Sequence, residues 1–545
     1  MILKKFFLLI IFILGLTYVQ AQDHNVSDVT RVSLSDDPAK LPNNWFHLDP
    51  ANDHYKGVSS DKAHEELLKD KKSKTVIVAI IDSGIDIEHE DLKDNIWTNT
   101  NEIAGNGIDD DKNGYIDDIN GWSFIGNSRG EMIHHDNLEV TRLYVKYKKI
   151  YEGKTASDFK GKKLAAFNEY LEIKNDYESK VNEAKQPIVY IEKMVVSYNK
   201  ADSTMKSELK KEDYTIEDVK AFESENDEVK KAKQLLITYD SRKLSAEYLQ
   251  EVLDHYQGQL EYHLNAEFEP RELVGDDYEN KNEKYYGHNM VEGPDAMHGT
   301  HVAGIIGAVR NNDIGMDGIA NDVKIMVIRT VPDGDERDKD VANSIIYAAD
   351  NGAQIINMSF GKSYSPYKKV VDKAMKYAEK KGVLLIHAAG NDGQDNDLKE
   401  NFPNAGYLKS SKRCKTWIEV GASSWHEKDN FAAVFSNYGK KSVDIFAPGV
   451  EIYSTIPDNN YKNLQGTSMA SPVVTGVAAL VLSYYPELTA IQLKDIILKS
   501  VSNYGTSEIN IPGEKDKKTE FKNISQTGGI VNAYEALKLA ESMSN

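Results

Sequence analysis

The chain has 545 residues, 40% of them hydrophobic, which is enough material for a large core and at least one further domain. Its formal net charge of −20 argues against nucleic-acid binding. Because Cys414 is its single cysteine, no intrachain disulfide is possible, and stability outside a cell would depend on packing or metal.

The first 21 residues predict a secretory signal peptide. Lys4 and Lys5 precede a mostly apolar segment from Phe6 to about Val19, and Ala21 is a small residue at the cleavage point. The alternative, a membrane anchor, needs about 20 apolar residues, more than this run contains. We therefore expect an exported protein, periplasmic or extracellular, with no stable membrane span after signal removal.

A polar stretch with a helical-looking segment from Ser60 to Lys69 leads to the apolar, β-branched run 76–81, which ends at Asp82. Unbroken runs of this kind are typical of parallel strands buried on both faces. Sites in open α/β sheets gather beyond the carboxyl ends of such strands, so Asp82 is a candidate site residue.

Residues 109–118 form an acidic loop with the spacing of a calcium-binding motif. Oxygen ligands recur at Asp109, Asp111, Asn113 and Asp117, with a glycine at the sixth position, as in the first half of an EF-hand loop. The twelfth position is an asparagine instead of a bidentate glutamate. We predict a calcium site that takes further ligands from elsewhere; the alternative is a solvated acidic turn.

Residues 131–290 differ in composition, with many Lys, Glu, Tyr and Leu residues and few glycines. Apolar residues recur at helical spacing, as at Leu249, Leu253 and Tyr256, and residues 215–218 resemble a helix cap. This predicts a helical insertion, either a bundle or an antiparallel hairpin. Its role is either that of a lid or docking arm for a protein partner, or only that of an insertion stabilised by its own core.

His298 opens a second small-residue helix, His298-Gly299-Thr300-His301-Val302. The two histidines have a spacing that also occurs in zinc sites, but no glutamate follows the first, and no third ligand lies on the same helical face. His301 is therefore expected to be a packed helix residue.

After residue 323, strands and helices alternate regularly. The predicted strands are 324–328, 354–357 and 383–386, and the predicted helices between them are 341–350 and 367–380. Such alternation indicates crossover units and an α/β fold, a doubly wound, mainly parallel sheet with helices on both faces.

The stretch Gly466-Thr467-Ser468-Met469-Ala470-Ser471-Pro472 precedes an apolar run. A proline in the first turn with such a run behind it predicts the start of a buried helix. Ser468 would then lie at a helix N-terminus, where unpaired N–H groups favour a developing negative charge. A serine nucleophile needs a base and an orienting acid, and His298 and Asp82 are of those types. Further helices are predicted from Thr489 and from Gly528.

The stretches around Asp82, His298 and Ser468, in that order along the chain, resemble the subtilisin family of serine proteases. The resemblance implies a subtilisin-like catalytic domain formed by residues 75–130 and 291–545. It also implies hydrolysis of peptide bonds in protein or peptide substrates, with Ser468 as nucleophile, His298 as base and Asp82 as orienting acid.

Two further stretches gain roles from the same resemblance. Ser359, Phe360 and Gly361 are similar to the strand that pairs with extended substrate and forms one wall of the primary specificity pocket. Ala389 and Gly390 resemble the second wall. The resemblance makes Asn391 the residue whose side-chain amide binds the tetrahedral oxygen.

The resemblance also implies a structural calcium ion. The segment 88–92 is similar to a family stretch whose aspartate binds calcium, which assigns Asp91, and the loop 310–315 provides Asn312 as its companion. By position, residues 22–74 are either a short pro-segment or an N-terminal extension that packs on the catalytic domain.

Acidic residues cluster at 333–340 and 392–397. If these clusters line the substrate cleft, they favour basic substrate side chains; solvated turns and calcium ligands are the alternatives.

Two other functions fit parts of the sequence. One is a catalytically silent scaffold that binds a partner through the helical insertion, and the other is a protease limited to self-processing. A binding module has no need of an acid, a base, a nucleophile and an oxyanion amide together, so we expect a serine endopeptidase.

Overall fold

The computed structural model describes residues 41–426, 428–514 and 516–544. The predicted signal peptide lies outside the described residues. The chain divides into two compact units. We call residues 1–139 and 269–545 the α/β unit and Val140–Phe268 the helical unit.

The α/β unit is built on strands. In chain order these are β1 Val76–Asp82, β2 Gly121–Ser123, β3 Val323–Arg329, β4 Ile355–Met358, β5 Leu384–Ala388, β6 Trp417–Ser423, β7 Ile445–Pro448, β8 Ile452–Ile456, β9 Asn460–Leu464, β10 Ser502–Asn503, β11 Glu508–Asn510, β12 Lys518–Glu520 and β13 Gly529–Ile530. Nine of them form one sheet in the order β10-β13-β7-β6-β5-β4-β1-β3-β2. Its described neighbours are parallel except β10 and β13, which confirms the predicted mainly parallel sheet.

Helices account for most of the remaining regular structure. They are α1 Ser60–Ala63, α2 Glu139–Tyr151, α3 Lys162–Leu209, α4 Ile216–Ala221, α5 Asp227–Ser241, α6 Ala246–Gly258, α7 Met297–Gly307, α8 Asp338–Asp350, α9 Lys368–Lys381, α10 Thr467–Tyr484, α11 Ala490–Lys499 and α12 Ala533–Ser544. Short 3-10 or π turns lie at Trp45–His47, His64–Leu68, Lys93–Asn95, Ala156–Asp158, Gln259–His263, Pro270–Leu273, Lys428–Asn430 and Phe521–Asn523.

Both faces of the sheet are covered, as the α/β class requires. Val78 and Ile80 of β1 point into a core shared with α7, α10, α11 and α12. Ala79 and Ile81 point to the other face, into a core shared with α8 and α9. Alternate residues of one strand thus fill two cores, which explains why the run is apolar without interruption.

Helix α10 lies in the first of these cores, and every residue from Thr467 to Ser483 is buried. Among the described helices it alone is long and apolar enough to cross a membrane, and 94% of it is buried inside the protein. The prediction that Pro472 lies in the first turn is wrong, because the helix begins at Thr467 and Pro472 lies inside it.

Two other predicted boundaries also move. The helix predicted over 341–350 begins at Asp338. The last helix, predicted from Gly528, begins only at Ala533, because Gly529 and Ile530 first form a strand between β7 and β10.

The described part of the N-terminal segment packs into the α/β unit. Trp45 and Phe46 are buried in the same core as α10. The Trp45 indole N–H donates to the Glu451 carbonyl at 3.0 Å, and the Val58 carbonyl accepts from the Ala533 N–H at 2.8 Å. This segment therefore contacts elements far along the chain.

The helical unit is described by itself. Helix α3 is 48 residues long, and α5 and α6 pack along it. One of its apolar clusters contains Met205, Val229 and Leu236. The predicted cap is confirmed: the Thr215 hydroxyl accepts from the Asp218 N–H at 3.2 Å, and the Asp218 carboxylate accepts from the Thr215 N–H at 2.9 Å.

Candidate active site

Asp82 is the last residue of β1, and it is 2% exposed. Its carbonyl accepts from the N–H groups of Thr330 and Val331 at 2.9 and 3.1 Å, so the strand end is fixed on its β3 side. Its carboxylate Oδ1 accepts from the Ser83 N–H at 2.8 Å. The carboxylate is thus held at the carboxyl end of an internal strand, between β4 and β3.

His298 is the second residue of α7, and its Nδ1 donates to Asp82 Oδ1 at 2.7 Å. The two side chains are only 13% and 3% exposed. A glycine permits this approach, since a β-carbon on Gly299 would lie 2.1 Å from the Gly84 carbonyl oxygen and 3.2 Å from the Asp82 β-carbon. The start of α7 therefore packs directly on the end of β1.

The environment of His298 makes it a base of increased strength. Burial by itself would lower its pKa, because it disfavours the charged imidazolium. The Asp82 carboxylate and its hydrogen bond outweigh burial, and the pKa of His298 is raised above its ordinary value. With Nδ1 bonded to Asp82, any second proton on the ring binds at Nε2.

His301 has a structural role. Its Nε2 donates to the carbonyls of Ile452 and Lys462, both at 3.0 Å, and burial lowers its pKa to about 3. The residue is fully buried within α7. The prediction of a packed helix residue is confirmed.

Ser468 is the second residue of α10, and it is 5% exposed. Its hydroxyl donates to the Ser359 carbonyl at 3.1 Å. Helices α7 and α10 pack against each other, so the helices that begin near His298 and Ser468 are neighbours in the same core. The preceding Gly466 has φ 154°, a backbone conformation that favours glycine.

Asn391 is held by the residue before Ser468. Its Oδ1 accepts from the Thr467 N–H at 2.8 Å and from the Thr467 hydroxyl at 2.9 Å, which leaves Nδ2 as the free donor of the amide. Asn391 Nδ2 and the Ser468 backbone nitrogen are each 3.5 Å from the point where a β-carbon on Gly466 would lie. Two N–H donors thus border the same small volume.

The two stretches compared with pocket walls follow β4 and β5. Ser359 and Phe360 are buried, as is Ala389. A β-carbon on Gly361 would lie 2.7 Å from Asn401 Nδ2, and one on Gly390 would lie 3.2 Å from the same atom. Asn401 therefore contacts both stretches.

The segment that follows β5 is held by three asparagine side chains. The Ala389 carbonyl accepts from Nδ2 of Asn396, Asn401 and Asn437 at 2.8, 3.2 and 3.0 Å. Sequence reasoning missed these asparagines because their spacing has no period.

The acidic loop brings some of its predicted ligands together. Carboxylate oxygens of Asp109, Asp111 and Glu102 all lie within 4.8 Å of one another, and Glu102 is outside the motif. Asn113 Nδ2 donates to Asp111 Oδ2 at 3.2 Å, and Asn113 Oδ1 accepts from the Tyr115 N–H at 2.8 Å. Asp117 is oriented differently, because its two oxygens accept from the N–H groups of residues 106 and 107 at 3.2 and 2.8 Å.

Asp91 and Asn312 are also brought together. Asn312 Nδ2 donates to Asp91 Oδ1 at 2.8 Å, and the Met316 N–H donates to Oδ2 at 3.0 Å. Burial raises the pKa of Asp91.

The idea that residues 333–340 select basic substrates meets a structural obstacle. Asp340 is fully buried and accepts two hydrogen bonds from the Arg271 guanidinium, at 2.6 and 2.8 Å. Asp338 forms an ion pair with Lys362 at 3.0 Å. Since both carboxylates are paired inside the protein, neither can attract a substrate side chain.

Comparison with known proteins gives one family. The model described as the subtilase family matches residues 73–525. A thermophilic serine proteinase of Bacillus sp. strain AK1 is 42% identical over 187 residues, 34% of this chain and 42% of that protein. Subtilisin DY of Bacillus licheniformis is 38% identical over 213 residues, 38% of this chain and 72% of that protein. A solved protease structure from Pseudoalteromonas arctica PAMC 21717 has 28% identity and a TM-score of 0.36, covering 45% of this chain and 70% of that one.

Proposed function

The chain belongs to the subtilase family, and on that premise we propose that it is an exported serine endopeptidase that cleaves protein or peptide substrates. Asp82, His298 and Ser468 form its catalytic triad, and Asn391 contributes to its oxyanion hole. The observation that carries the proposal is the 2.7 Å hydrogen bond between His298 and Asp82, which are 216 residues apart in the sequence.

In the proposed reaction, Ser468 Oγ attacks the scissile carbonyl carbon while His298 Nε2 accepts the hydroxyl proton. Asp82 stabilises the resulting imidazolium. The developing oxyanion accepts hydrogen bonds from the Ser468 backbone N–H and the Asn391 amide. His298 then donates its proton to the leaving amine, and water, deprotonated by the same ring, hydrolyses the acyl-enzyme and restores Ser468.

Covalent labelling tests this assignment. A fluorophosphonate should modify wild-type protein at Ser468 in a peptide map, and Ser468→Ala should lose both labelling and casein hydrolysis. Ser483→Ala is the matched control, because this buried serine lies on the same helix and its hydroxyl donates to the Leu480 carbonyl at 2.8 Å. Labelling at another residue, or casein hydrolysis by Ser468→Ala, would contradict the proposal.

Export and self-processing are tested at the N-terminus. We expect the purified protein to begin after Ala21 or between there and Leu41, because Trp45 and Phe46 belong to the core and their removal would expose it. Mass spectrometry of wild type beside Ser468→Ala separates the two processes. A terminus shared by both proteins is due to signal peptidase, and one seen only in wild type is due to self-cleavage.

A structural calcium ion is the remaining part of the proposal. Carboxylate oxygens are ligands that calcium prefers, and Asp109, Asp111 and Glu102 bring three of them within 4.8 Å of one another. Asn113 would join them by turning its amide oxygen, which accepts from the Tyr115 N–H, toward the ion. Asp91 and Asn312 form a second candidate pair. Isothermal titration should show calcium binding that is lost in Asp109→Asn/Asp111→Asn. Unchanged binding in that double variant would remove the acidic loop from the proposal.

A further inference from the structure

Four fully buried polar side chains lie beneath the first turns of α10. We call them the anchor cluster, and its members are Asn357, Ser359, Ser471 and Thr475. Asn357 lies in β4, Ser359 follows β4 directly, and the other two lie one turn apart on α10. The reaction described above assigns no role to their side chains.

Pro472 leaves one backbone carbonyl near the anchor cluster without a donor from its own helix. In an α-helix the carbonyl of residue i accepts from the N–H of residue i+4. For Ser468 that residue is Pro472, which has no N–H. The carbonyl of the nucleophile residue therefore lacks its helical donor. The Ser359 hydroxyl takes that place, donating to the Ser468 carbonyl at 2.9 Å.

The donors and acceptors around Ser359 are consistent with its hydroxyl as the donor to the Ser468 carbonyl. A hydroxyl has one proton and two acceptor positions. Since Ser359 Oγ gives its proton to a carbonyl, its lone pairs face its other two neighbours, Asn357 Nδ2 at 3.0 Å and Ser471 Oγ at 2.8 Å. The single Ser471 proton lies between two acceptors, Ser359 Oγ and Asn357 Oδ1, which is 3.2 Å from Ser471 Oγ. The orientation of the Asn357 amide is fixed in turn, because its Oδ1 accepts from the Thr475 hydroxyl at 2.8 Å.

Ser359 thus contacts Ser468 twice. Its hydroxyl donates to the Ser468 carbonyl, and its own carbonyl accepts from the Ser468 hydroxyl at 3.1 Å. Ser359 is also the first residue of the stretch compared with a substrate-binding wall. The same short segment therefore touches the nucleophile through side chain and backbone.

We propose that Ser359 and Asn357 are positioning residues, which hold the backbone of Ser468 on β4 and so fix the nucleophile relative to the substrate. The inference rests on the proposed protease function. Misplacement of a reacting group by about 1 Å can cost about 100-fold in rate. Loss of the Ser359 hydroxyl should accordingly lower kcat by about 10- to 100-fold, with little change in KM because the wall backbone stays in place.

The test combines Ser359→Ala with Pro472→Ala. Alanine at 472 supplies an N–H to the Ser468 carbonyl but does not restore the link to β4. We expect Ser359→Ala to have a lower Tm, a lower kcat and a slower reaction with a small fluorophosphonate. The double variant should recover Tm while kcat and the labelling rate stay low. Recovery of kcat together with Tm would overturn the positioning role, because the hydroxyl would then only satisfy a carbonyl.

Controls separate this inference from the function on which it rests. Ser483→Ala, a buried serine far along the same helix, should behave as wild type. Thr475→Val keeps the side-chain shape and removes the shorter of the two hydrogen bonds to Asn357 Oδ1, 2.8 Å from Thr475 against 3.2 Å from Ser471. It should therefore show a milder loss of kcat, and it covers the case in which Ser359→Ala does not fold. Wild-type kcat and labelling rate in folded Ser359→Ala or Thr475→Val would overturn the proposal. Wild-type protein that a fluorophosphonate does not label would overturn the protease function itself.

Discussion

Replacement of Asp82 by asparagine should remove most of the activity. The Asp82 carboxylate lies 2.7 Å from His298 Nδ1. At that distance, with an effective dielectric constant of about 20, Coulomb's law gives about 6 kcal/mol of attraction between the carboxylate and the imidazolium that forms during attack. Each 1.4 kcal/mol of barrier is about tenfold in rate, so loss of the charge should lower kcat by about 10⁴-fold. Removal of the triad aspartate charge in chymotrypsin-type proteases has an effect of about this size.

The same variant should change the pH dependence of activity. In the proposed reaction His298 must be neutral to accept the Ser468 proton, so kcat/KM should rise with pH through the His298 pKa. In the wild type, Asp82 outweighs burial and holds that pKa above 6.5. In Asp82→Asn burial remains without the carboxylate, so the acid limb of the profile should move to lower pH.

Hydrolysis of a fluorogenic peptide across the pH range measures both effects, with the folded fraction checked by circular dichroism. The matched control is Asp86→Asn, a buried aspartate four residues away whose oxygens accept from the N–H groups of Glu88 and Asp458. We expect it to keep near wild-type activity. A loss below about tenfold in Asp82→Asn, or an acid limb that does not move, would refute the assigned role of this carboxylate.

Three further predictions concern stability. Burial lowers the pKa of His47 and of His64 to about 4. Below about pH 6.5 the unfolded chain therefore binds more protons than the folded chain, and the free energy of unfolding should fall. The decrease due to His47 should be about 3 kcal/mol on acidification from about pH 6.5 to about pH 4. Urea unfolding at a series of pH values checks this, and His47→Gln should show a flatter profile. Trp45→Ala should cost about 3–5 kcal/mol in the same assay, because this indole is fully buried; a cost near zero would contradict its place in the core. Both Glu102 oxygens accept from backbone N–H groups, of Asp111 and Asp117, so Glu102→Gln should lower Tm even in excess chelator, but by more in calcium; an equal decrease in both would mean that Glu102 binds no ion.

The fold was predictable where burial leaves an unmistakable pattern. The run at 76–81 is apolar at every position because β1 serves two cores, and α10 is apolar around its circumference because it is surrounded. Asp82 and Ser468 could be singled out because each lies at an end of such an element. Their contacts with other residues depend on how distant segments pack, and no local pattern carries that information.

Charge partners were the least predictable part of the structure. Asp340 pairs with Arg271, which is 69 residues earlier in the sequence, and Asp338 pairs with Lys362. In the sequence, a cluster of acidic residues looks the same whether its side chains face solvent, a metal ion or buried basic side chains. Glu102 shows the converse case, because it joins Asp109 and Asp111 from outside the motif.

Pro472 shows how a local rule can fail at a site for a physical reason. A proline inside a helix costs about 3 kcal/mol or more, mainly because it removes a hydrogen bond and crowds the preceding turn. Here the carbonyl that loses its donor belongs to Ser468, and a hydroxyl from the neighbouring strand replaces the missing N–H. A helix that satisfied this carbonyl internally would have no need of Ser359. The proline therefore weakens the helix locally and, in the same step, makes the backbone of Ser468 available for attachment to the sheet.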